Sequence, residues 1–170
     1  DDLRKANAKK KGAKTLDAAS WAALPPELKA EYDHPDQDEW DAAIAATPLL
    51  AGFHLTTLGR LAELTGLEHG ERLTAAQVKR ICARAADVGY AVEPDGRVRA
   101  KASASTTEVL IWRAATTEPP EAKVYAAVFA MLSLAMTVAM ADGVFSDEEH
   151  DVINSFLSEL FTLDEAMRVR

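Results

Sequence analysis

Apolar residues recur every three or four positions in three stretches of the chain, and this spacing predicts amphipathic helices. The first helix would carry Leu58, Leu61 and Leu64 on one face. A threonine at position 56 or 57 would cap its start, because a hydroxyl can accept a hydrogen bond from the first turn. Gly66 is suited to the left-handed conformation that often follows a helix, so the helix is predicted to stop there.

The second stretch begins with Thr74 and Gln77, which have the spacing of a capping box. The helix that it opens would end near Gly89. Its apolar stripe consists of Val78, Ile81, Cys82 and Ala85. Because Cys82 lies on this stripe, we expect it to be an inert core thiol rather than a nucleophile.

After Gly89 the pattern becomes extended. Residues 90–93 are β-prone and precede the turn sequence 94–96 and then Val98, and residues 109–112 form a second short apolar run. Residues 100–107 are predicted to be a loose loop. A sheet of two or three strands beside two helices is the simplest interpretation of this region.

The stretch Val124–Ala141 has no charged residue in 18 positions, which raises the question of a membrane span. Six of these residues are alanine, and hydroxyl groups weaken the apolar character further. We therefore expect a buried central helix and no transmembrane span.

The third periodic stretch follows this helix and a turn at Asp142-Gly143. Ser146 and Glu149 have capping-box spacing, and acidic residues in the first turn suit the helix dipole. The apolar stripe consists of Val152, Ile153, Phe156, Leu157, Leu160 and Phe161. Thr162 and Glu165 predict one more helix start, about two turns before the last residue, from which we expect the sequence to be a fragment.

Residues 15–54 are predicted to form short helices interrupted by prolines 25, 26, 35 and 48, with Trp21 and Trp40 as buried anchors. An acidic run surrounds His34 but matches no metal-ligand spacing, so we interpret it as a solvated loop. The acids of this run are Asp33, Asp36, Asp38, Glu39 and Asp41.

Together these patterns predict a mainly α fold, a helical bundle with a small β-hairpin or sheet near residues 90–113. Three units are expected: a charged, proline-broken segment 1–54, helices with a hairpin at 55–118, and a helical unit at 119–170. The alanine-rich composition, with 33 alanines among 170 residues, agrees with closely packed helices.

The distribution of charge limits the partners that the chain can bind. The chain has 19 Lys and Arg against 27 Asp and Glu, and its acidic excess lies in residues 15–54 and 114–170. These segments would be repelled by nucleic acid and by anionic membranes. The basic cluster of Lys9, Lys10, Lys11 and Lys14 is interpreted as a solvated terminus. A single cysteine excludes an internal disulfide framework, and the charged N-terminal residues do not form a signal peptide.

The turn at Asp142 also matches the second half of a calcium-binding EF-hand loop, with Glu149 at the last loop position. The first and third loop positions would be Val138 and Met140, which cannot bind calcium, so a true EF-hand is excluded. Two interpretations remain open. The carboxylates either offer oxygen ligands to a divalent cation or serve only to cap the helix.

Residues 124–165, with AMADGVFSDEEHDVI at their centre, resemble the first half of a TerB-like domain of the tellurite-resistance family. The upstream stretches LTAAQVKRICARAADVGYAVEPDGR and EVLIWRA resemble the TerB-N extension. This resemblance implies an all-helical, metal-binding module of bacterial tellurite and stress-response systems, acting near membranes in multi-protein complexes. It assigns Asp142, Glu148 and Glu149 as metal-associated acids. The family's second acidic hairpin has no counterpart before Arg170.

The expected function is thus a non-catalytic scaffold that binds a divalent cation through Asp142, Glu148 and Glu149 and contacts other protein domains of its polypeptide or complex. We expect it in the cytoplasm, with membrane association only through partners. No catalytic motif is present, and His54, His69 and His150 have no partnered nucleophile at a meaningful spacing.

Two alternatives stay open. One is an interaction domain without a ligand. The other is a winged-helix-like DNA-binding module in residues 55–113, although nucleic acid is not the expected partner. Its phosphate contacts would be Lys79, Arg80, Arg84, Arg97 and Arg99.

Overall fold

The computed structural model describes residues 16–29, 32–140 and 146–161. Short helices and strands alternate up to Arg113, and the elements after it are helical. The helices are α1 (Ala18–Ala22), α2 (Pro26–Lys29), α3 (Gln37–Ala45), α4 (Leu58–Leu64), α5 (Ala75–Asp87), α6 (Ala122–Ala139) and α7 (Asp147–Phe161). The strands are β1 (Leu49–Leu50), β2 (Phe53–Thr57), β3 (Arg72–Leu73), β4 (Tyr90–Glu93), β5 (Ser103–Ala104) and β6 (Glu108–Arg113).

Within the described residues, four strands form an antiparallel sheet in the order β1-β2-β6-β4. Strand β6 lies between β2 and β4, so that His54 of β2 and Val92 of β4 both stand opposite Ile111. A second, two-stranded sheet pairs β3 with β5. Most of the main sheet is therefore built from pairings between residues far apart along the chain.

The prediction of a mainly α helical bundle is wrong, because the described residues form a mixed α/β fold around this antiparallel sheet. The sequence signal for β2 is weak. Its side chains are mostly half-buried and do not alternate between a buried and an exposed face. A strand of this kind is specified by its neighbour β6 rather than by its own period of two.

The expected hairpin also differs from the structure. Strand β4 pairs with β6, and the segment containing Val98 forms no strand with it. Residues Ser103–Ala104, inside the stretch predicted to be a loop, form β5. A two-residue strand has almost no periodicity, and its hydrogen-bonding partner is the only thing that defines it.

Helices α4 and α5 confirm the predicted caps. The Thr57 hydroxyl accepts a hydrogen bond from the Arg60 N–H at 3.3 Å, and Gly66 follows α4 at a φ of +65°. At the start of α5, the Thr74 hydroxyl accepts from the Gln77 N–H at 3.2 Å, and the Thr74 N–H donates to the Gln77 side chain at 2.9 Å. Both helices thus start where their capping residues place them.

The hydrophobic core lies between the main sheet and helices α3, α4 and α5. The predicted α5 stripe is buried in it, and Trp40 is completely buried, as expected of an anchor. Trp21 is also buried, at 5% exposure. Because Trp40 and Ile44 from α3 share this core with Ile111 from β6, helix α3 is part of the same packed unit.

Helices α6 and α7 pack against each other as a hairpin. The prediction that α6 is a buried central helix is wrong, since Tyr125 is its one fully buried side chain among those described. In α7, Leu157 is buried, while Val152, Phe156 and Leu160 of the predicted stripe are exposed. Among the described helices, α6 alone is long and apolar enough to cross a membrane, by length and composition only.

Candidate functional site

The predicted metal-binding acids are only partly visible. Asp142 lies outside the described residues, as does the predicted helix start at Thr162. Glu148 is exposed and Glu149 is half-buried, both in the first turn of α7. Within the described part of the chain, no three His, Cys, Asp or Glu side chains come close enough to hold a metal ion.

The carboxylate of Glu149 acts as a capping group. It accepts hydrogen bonds from the Ser146 N–H at 2.9 Å and from the Ser146 hydroxyl at 3.1 Å. The Ser146 hydroxyl in turn accepts from the Glu149 N–H at 3.2 Å, which completes the predicted capping box. His150, next in the chain, is exposed and lies 3.5 Å from the Asp151 carboxylate.

Glu148 and Glu149 border an open apolar groove between α6 and α7, with a volume of about 450 Å³. One wall is formed by Ala135, Val138 and Ala139 of α6, and the other by Val152 and Ile153 of α7. Glu148 and Glu149 close the acidic end of the groove. The sequence does not indicate this groove, because the periodicity predicts that the apolar faces of both helices are buried.

Exposed apolar side chains are concentrated on this hairpin. Leu134 and Val138 of α6 are 61% and 68% exposed, and Val152 and Phe156 of α7 are 68% and 50% exposed. Of the eleven large exposed hydrophobic residues in the described chain, eight lie in α6, α7 or the residue after α6. A cluster of this kind is typical of an interaction surface, whereas single exposed leucines are common on any protein.

The hairpin is attached through the first turns of α6 to the α/β unit, which comprises both sheets and helices α3, α4 and α5 (residues 37–113). The Tyr125 hydroxyl donates a short hydrogen bond to the Glu93 carboxylate and accepts one from the Asp95 N–H at 3.2 Å. Burial, followed by the hydrogen bond to Glu93, raises the pKa of Tyr125. One turn further, the Arg99 guanidinium lies 5.1 Å from the centre of the Phe129 ring, within reach of a cation–π contact.

The turn that receives Tyr125 is itself rigidly held. Asp95 is completely buried and forms an ion pair with Arg97 at 2.7 Å. The Gly96 N–H donates to the Cys82 sulfur at 3.3 Å. Burial raises the pKa of the Cys82 thiol to about 11, so the thiol stays protonated and the expectation of a buried core cysteine is confirmed.

Two acids of the run around His34 form ion pairs with α5 and β6. The sequence did not predict these ion pairs. Asp36 pairs with Arg84 of α5, whose other terminal nitrogen lies 2.7 Å from Nε2 of His34. Asp41 pairs with Arg113 of β6 and accepts a hydrogen bond from the Tyr90 hydroxyl at 2.6 Å. The interpretation of this run as a solvated loop is therefore wrong for these two residues. The only sequence signal was the acidic excess of residues 15–54, set against the basic residues at 55–113.

Of the five basic residues predicted to contact phosphate, three contact other side chains of this chain and two are exposed on α5. Arg84 and Arg97 pair with carboxylates of this chain, and Arg99 lies over Phe129. Lys79 and Arg80 are exposed on α5, on the side away from the core. The structure thus leaves a smaller basic surface than the sequence suggested.

No family model, curated protein or solved structure matches this chain.

Proposed function

We propose that this chain is a non-catalytic protein-interaction module whose docking surface is the α6–α7 hairpin. The observation that carries the proposal is the exposure of the apolar stripes of both helices beside a groove of about 450 Å³. Burying such a surface releases roughly 25 cal/mol for each Å² of apolar area, which favours association with another protein. The resemblance to TerB-like domains supports placing it among bacterial tellurite and stress-response proteins.

An environment-sensitive apolar dye tests this surface on the full chain. We expect dye fluorescence to rise on binding to the native protein and to fall strongly in the double variant Val138→Asp with Val152→Asp. The matched control replaces Thr137 and Asn154, which are exposed and adjacent in sequence to groove residues, with Asp. Equal dye binding by both variants would show that the groove is not the apolar surface.

The proposal does not include a membrane span, although α6 is apolar enough for one. The acidic first turn of α7 packs beside the C-terminal half of α6, where Glu148 lines the same groove as Val138 and Ala139. Insertion of α6 into a membrane would require it to give up its contacts with α7 or to bring the carboxylates of α7 to the membrane surface. We therefore propose a cytoplasmic protein that reaches membranes only through its partners.

Cation binding by Asp142, Glu148 and Glu149 is a separate part of the proposal. Its support is the short separation of Asp142, Glu148 and Glu149 along the sequence and the resemblance that assigns them. An amide NMR titration of the chain with Ca²⁺, Mg²⁺ and Zn²⁺ tests it. Saturable shifts at residues 146–151 that disappear in the Asp142→Ala variant are expected. A flat titration would leave these acids as capping groups and their helix as a plain interaction surface.

A second candidate function is nucleic-acid binding by the α/β unit. Apart from the two-residue strands β1, β3 and β5, helix α3 is followed by β2, α4, α5, β4 and β6. Strand β6 is paired between β2 and β4, and this is the element order of a winged helix. In that arrangement the second helix of the pair, here α5, faces the DNA. Lys79 and Arg80 would then be the phosphate contacts of α5.

Fluorescence anisotropy with a labelled duplex distinguishes the two functions. For nucleic-acid binding, the double variant Lys79→Glu with Arg80→Glu should weaken the complex, and the salt dependence should become shallower by about one to two units. Arg60→Glu, an exposed charge reversal on α4, serves as the control. Absence of a salt-sensitive complex with the native chain would remove this candidate.

A further inference from the structure

The groove between α6 and α7 combines an apolar floor with a one-sided charge. Two carboxylates, those of Glu148 and Glu149, line it, whereas the described residues of the hairpin helices include a single Lys or Arg, Lys123. Lys123 is in the first turn of α6, far along the helix from Val138 at the groove. The charged side chains that line the groove are therefore negative, and they favour a positively charged occupant among those that its apolar surface could accept.

Charge disfavours two of these occupants. A second copy of the hairpin would place its own Glu148 and Glu149 against the same pair, so the charged contacts at the groove would be repulsive. An anionic membrane surface would repel the same carboxylates. A partner that carries cations beside its apolar residues gains from both features of the groove.

The spacing of the exposed side chains fits a helix. Val152, Phe156 and Leu160 are four residues apart and form one exposed ridge along α7, about 12 Å long at 1.5 Å per residue. Leu134 and Val138 are exposed with the same spacing on α6, and Val138 lines the groove. Ridges of this kind accept the side chains of a third helix between them.

We propose that this groove binds an amphipathic helix of another protein, in which Lys or Arg residues flank an apolar stripe of two to three turns. This inference rests on the proposed function of the hairpin as an interaction surface. The apolar stripe packs between the ridges of α6 and α7, and the cations lie beside Glu148 and its neighbours. The surface is thereby specific for basic helices and rejects acidic ones.

Two synthetic helical peptides of about 18 residues test the proposal on the full chain, since shorter isolated helices are marginal. Both have the same leucine stripe, flanked by lysines in one and by glutamates in the other. Fluorescence anisotropy should show the lysine peptide binding at least about tenfold tighter, with an affinity that falls as salt is raised.

Matched variants separate the apolar contribution from the charge contribution. Val138→Asp should abolish binding of the lysine peptide, whereas Thr137→Asp, on the side of α6 turned away from the groove, should not. Glu148→Lys should reduce the ratio of the two affinities, because it weakens binding of the lysine peptide and strengthens binding of the glutamate peptide. Asp147→Lys adds the same charge change on the opposite side of α7 and should narrow it less. Circular dichroism of each variant verifies that the fold is retained.

The remaining outcomes each overturn the inference in a recognisable way. Equal affinity for both peptides would overturn the charge selection but leave the hairpin as an interaction surface. Absence of binding together with a concentration-dependent dimer in sedimentation would assign the groove to a second copy. Absence of binding by a monomer would mean that the chain covers its own groove or that no helix docks there, and both the inference and the proposed function would fail.

Discussion

His34 is one of the few buried polar side chains among the described residues. It is 3% exposed, stacks edge-on against Trp21 at 4.3 Å between ring centroids, and accepts a hydrogen bond at Nδ1 from the Asp36 N–H at 3.0 Å. Burial and, next, the Arg84 guanidinium lower its pKa below 6.5, and the smaller effects of Asp36 and Asp87 do not reverse this. The imidazole is therefore neutral in the folded protein at neutral pH.

This depressed pKa makes stability depend on pH. Between the folded-state pKa and 6.5, the unfolded chain binds more protons at His34 than the folded chain does. The stability that the folded protein gains from keeping His34 neutral is fully present above pH 6.5 and is lost as the pH falls below this value. We expect the urea midpoint to decrease on acidification from neutral pH, and the decrease to be smaller in His34→Gln. His150→Gln, an exposed histidine on α7, is the control that should keep the full decrease.

Gly96 is fixed by a close approach rather than by its backbone angle. A Cβ atom at this position would lie 2.7 Å from Cγ1 of Val78 and 3.1 Å from the Cys82 sulfur. Gly96→Ala should therefore lower the free energy of unfolding by about 1–3 kcal/mol, because α5 must move away from the turn. Gly70→Ala has nothing within 4 Å of its added Cβ and should have little effect. Chemical denaturation measures both, and equal stabilities would contradict the close packing.

At the scale of single elements, α5 shows how far local sequence specifies structure. Its capping box, apolar stripe and glycine stop agree with one another, and the helix has the bounds that they predict. Local signals of this kind do not depend on the rest of the chain. The stability of the start of α5 should accordingly depend on Thr74.

Thr74→Ala removes the hydroxyl that accepts from the Gln77 N–H and should lower the free energy of unfolding by about 1 kcal/mol. Thr74→Ser retains an acceptor and should recover most of the loss. Urea denaturation followed by circular dichroism measures the three proteins. If serine and alanine were equally destabilising, the methyl group of the threonine would be the important feature instead.

The strands show the limit of local information. Strand β6 is predicted correctly from its apolar run, but β2 and β5 are recognisable only from their partners β6 and β3. Asp36 and Asp41 are a similar case among side chains, since their partners Arg84 and Arg113 are 48 and 72 residues away. A pattern along the sequence does not contain these pairings.

For the whole molecule, the junction between the α/β unit and the hairpin is a small contact centred on Tyr125. Tyr125→Phe would remove the hydroxyl that binds the Glu93 carboxylate and the Asp95 N–H. Because a hydrogen bond to a charged group contributes about 1.5–3 kcal/mol, we expect α6 to loosen from the α/β unit while the core remains folded.

Hydrogen exchange measured by mass spectrometry tests this expectation. In Tyr125→Phe, exchange should accelerate in the first turns of α6 and change little in α5. Tyr90→Phe is the matched control, since the Tyr90 hydroxyl binds Asp41 inside the α/β unit and its loss should not affect α6. Uniform acceleration throughout the chain would show that the two parts unfold as one unit.

The sequence alone was enough to predict the local features of this protein: the caps of α4, α5 and α7, the buried stripe of α5, the strands β4 and β6, and the burial of Trp21 and Trp40. It predicted these because each depends on residues a few positions apart. It also located Glu148 and Glu149 at a helix start, where Glu149 serves as the cap.

The tertiary structure decided the fold class and which apolar faces are exposed. The four-stranded sheet depends on pairings across the chain, and the apolar stripes of α6 and α7 looked in the sequence like any core-facing stripes. Hydrophobic periodicity shows that a face avoids water but does not show what covers it. Only the packed structure revealed that α6 contacts the α/β unit through Tyr125 and Phe129 and that a groove lies open between α6 and α7 beside the acidic first turn of α7.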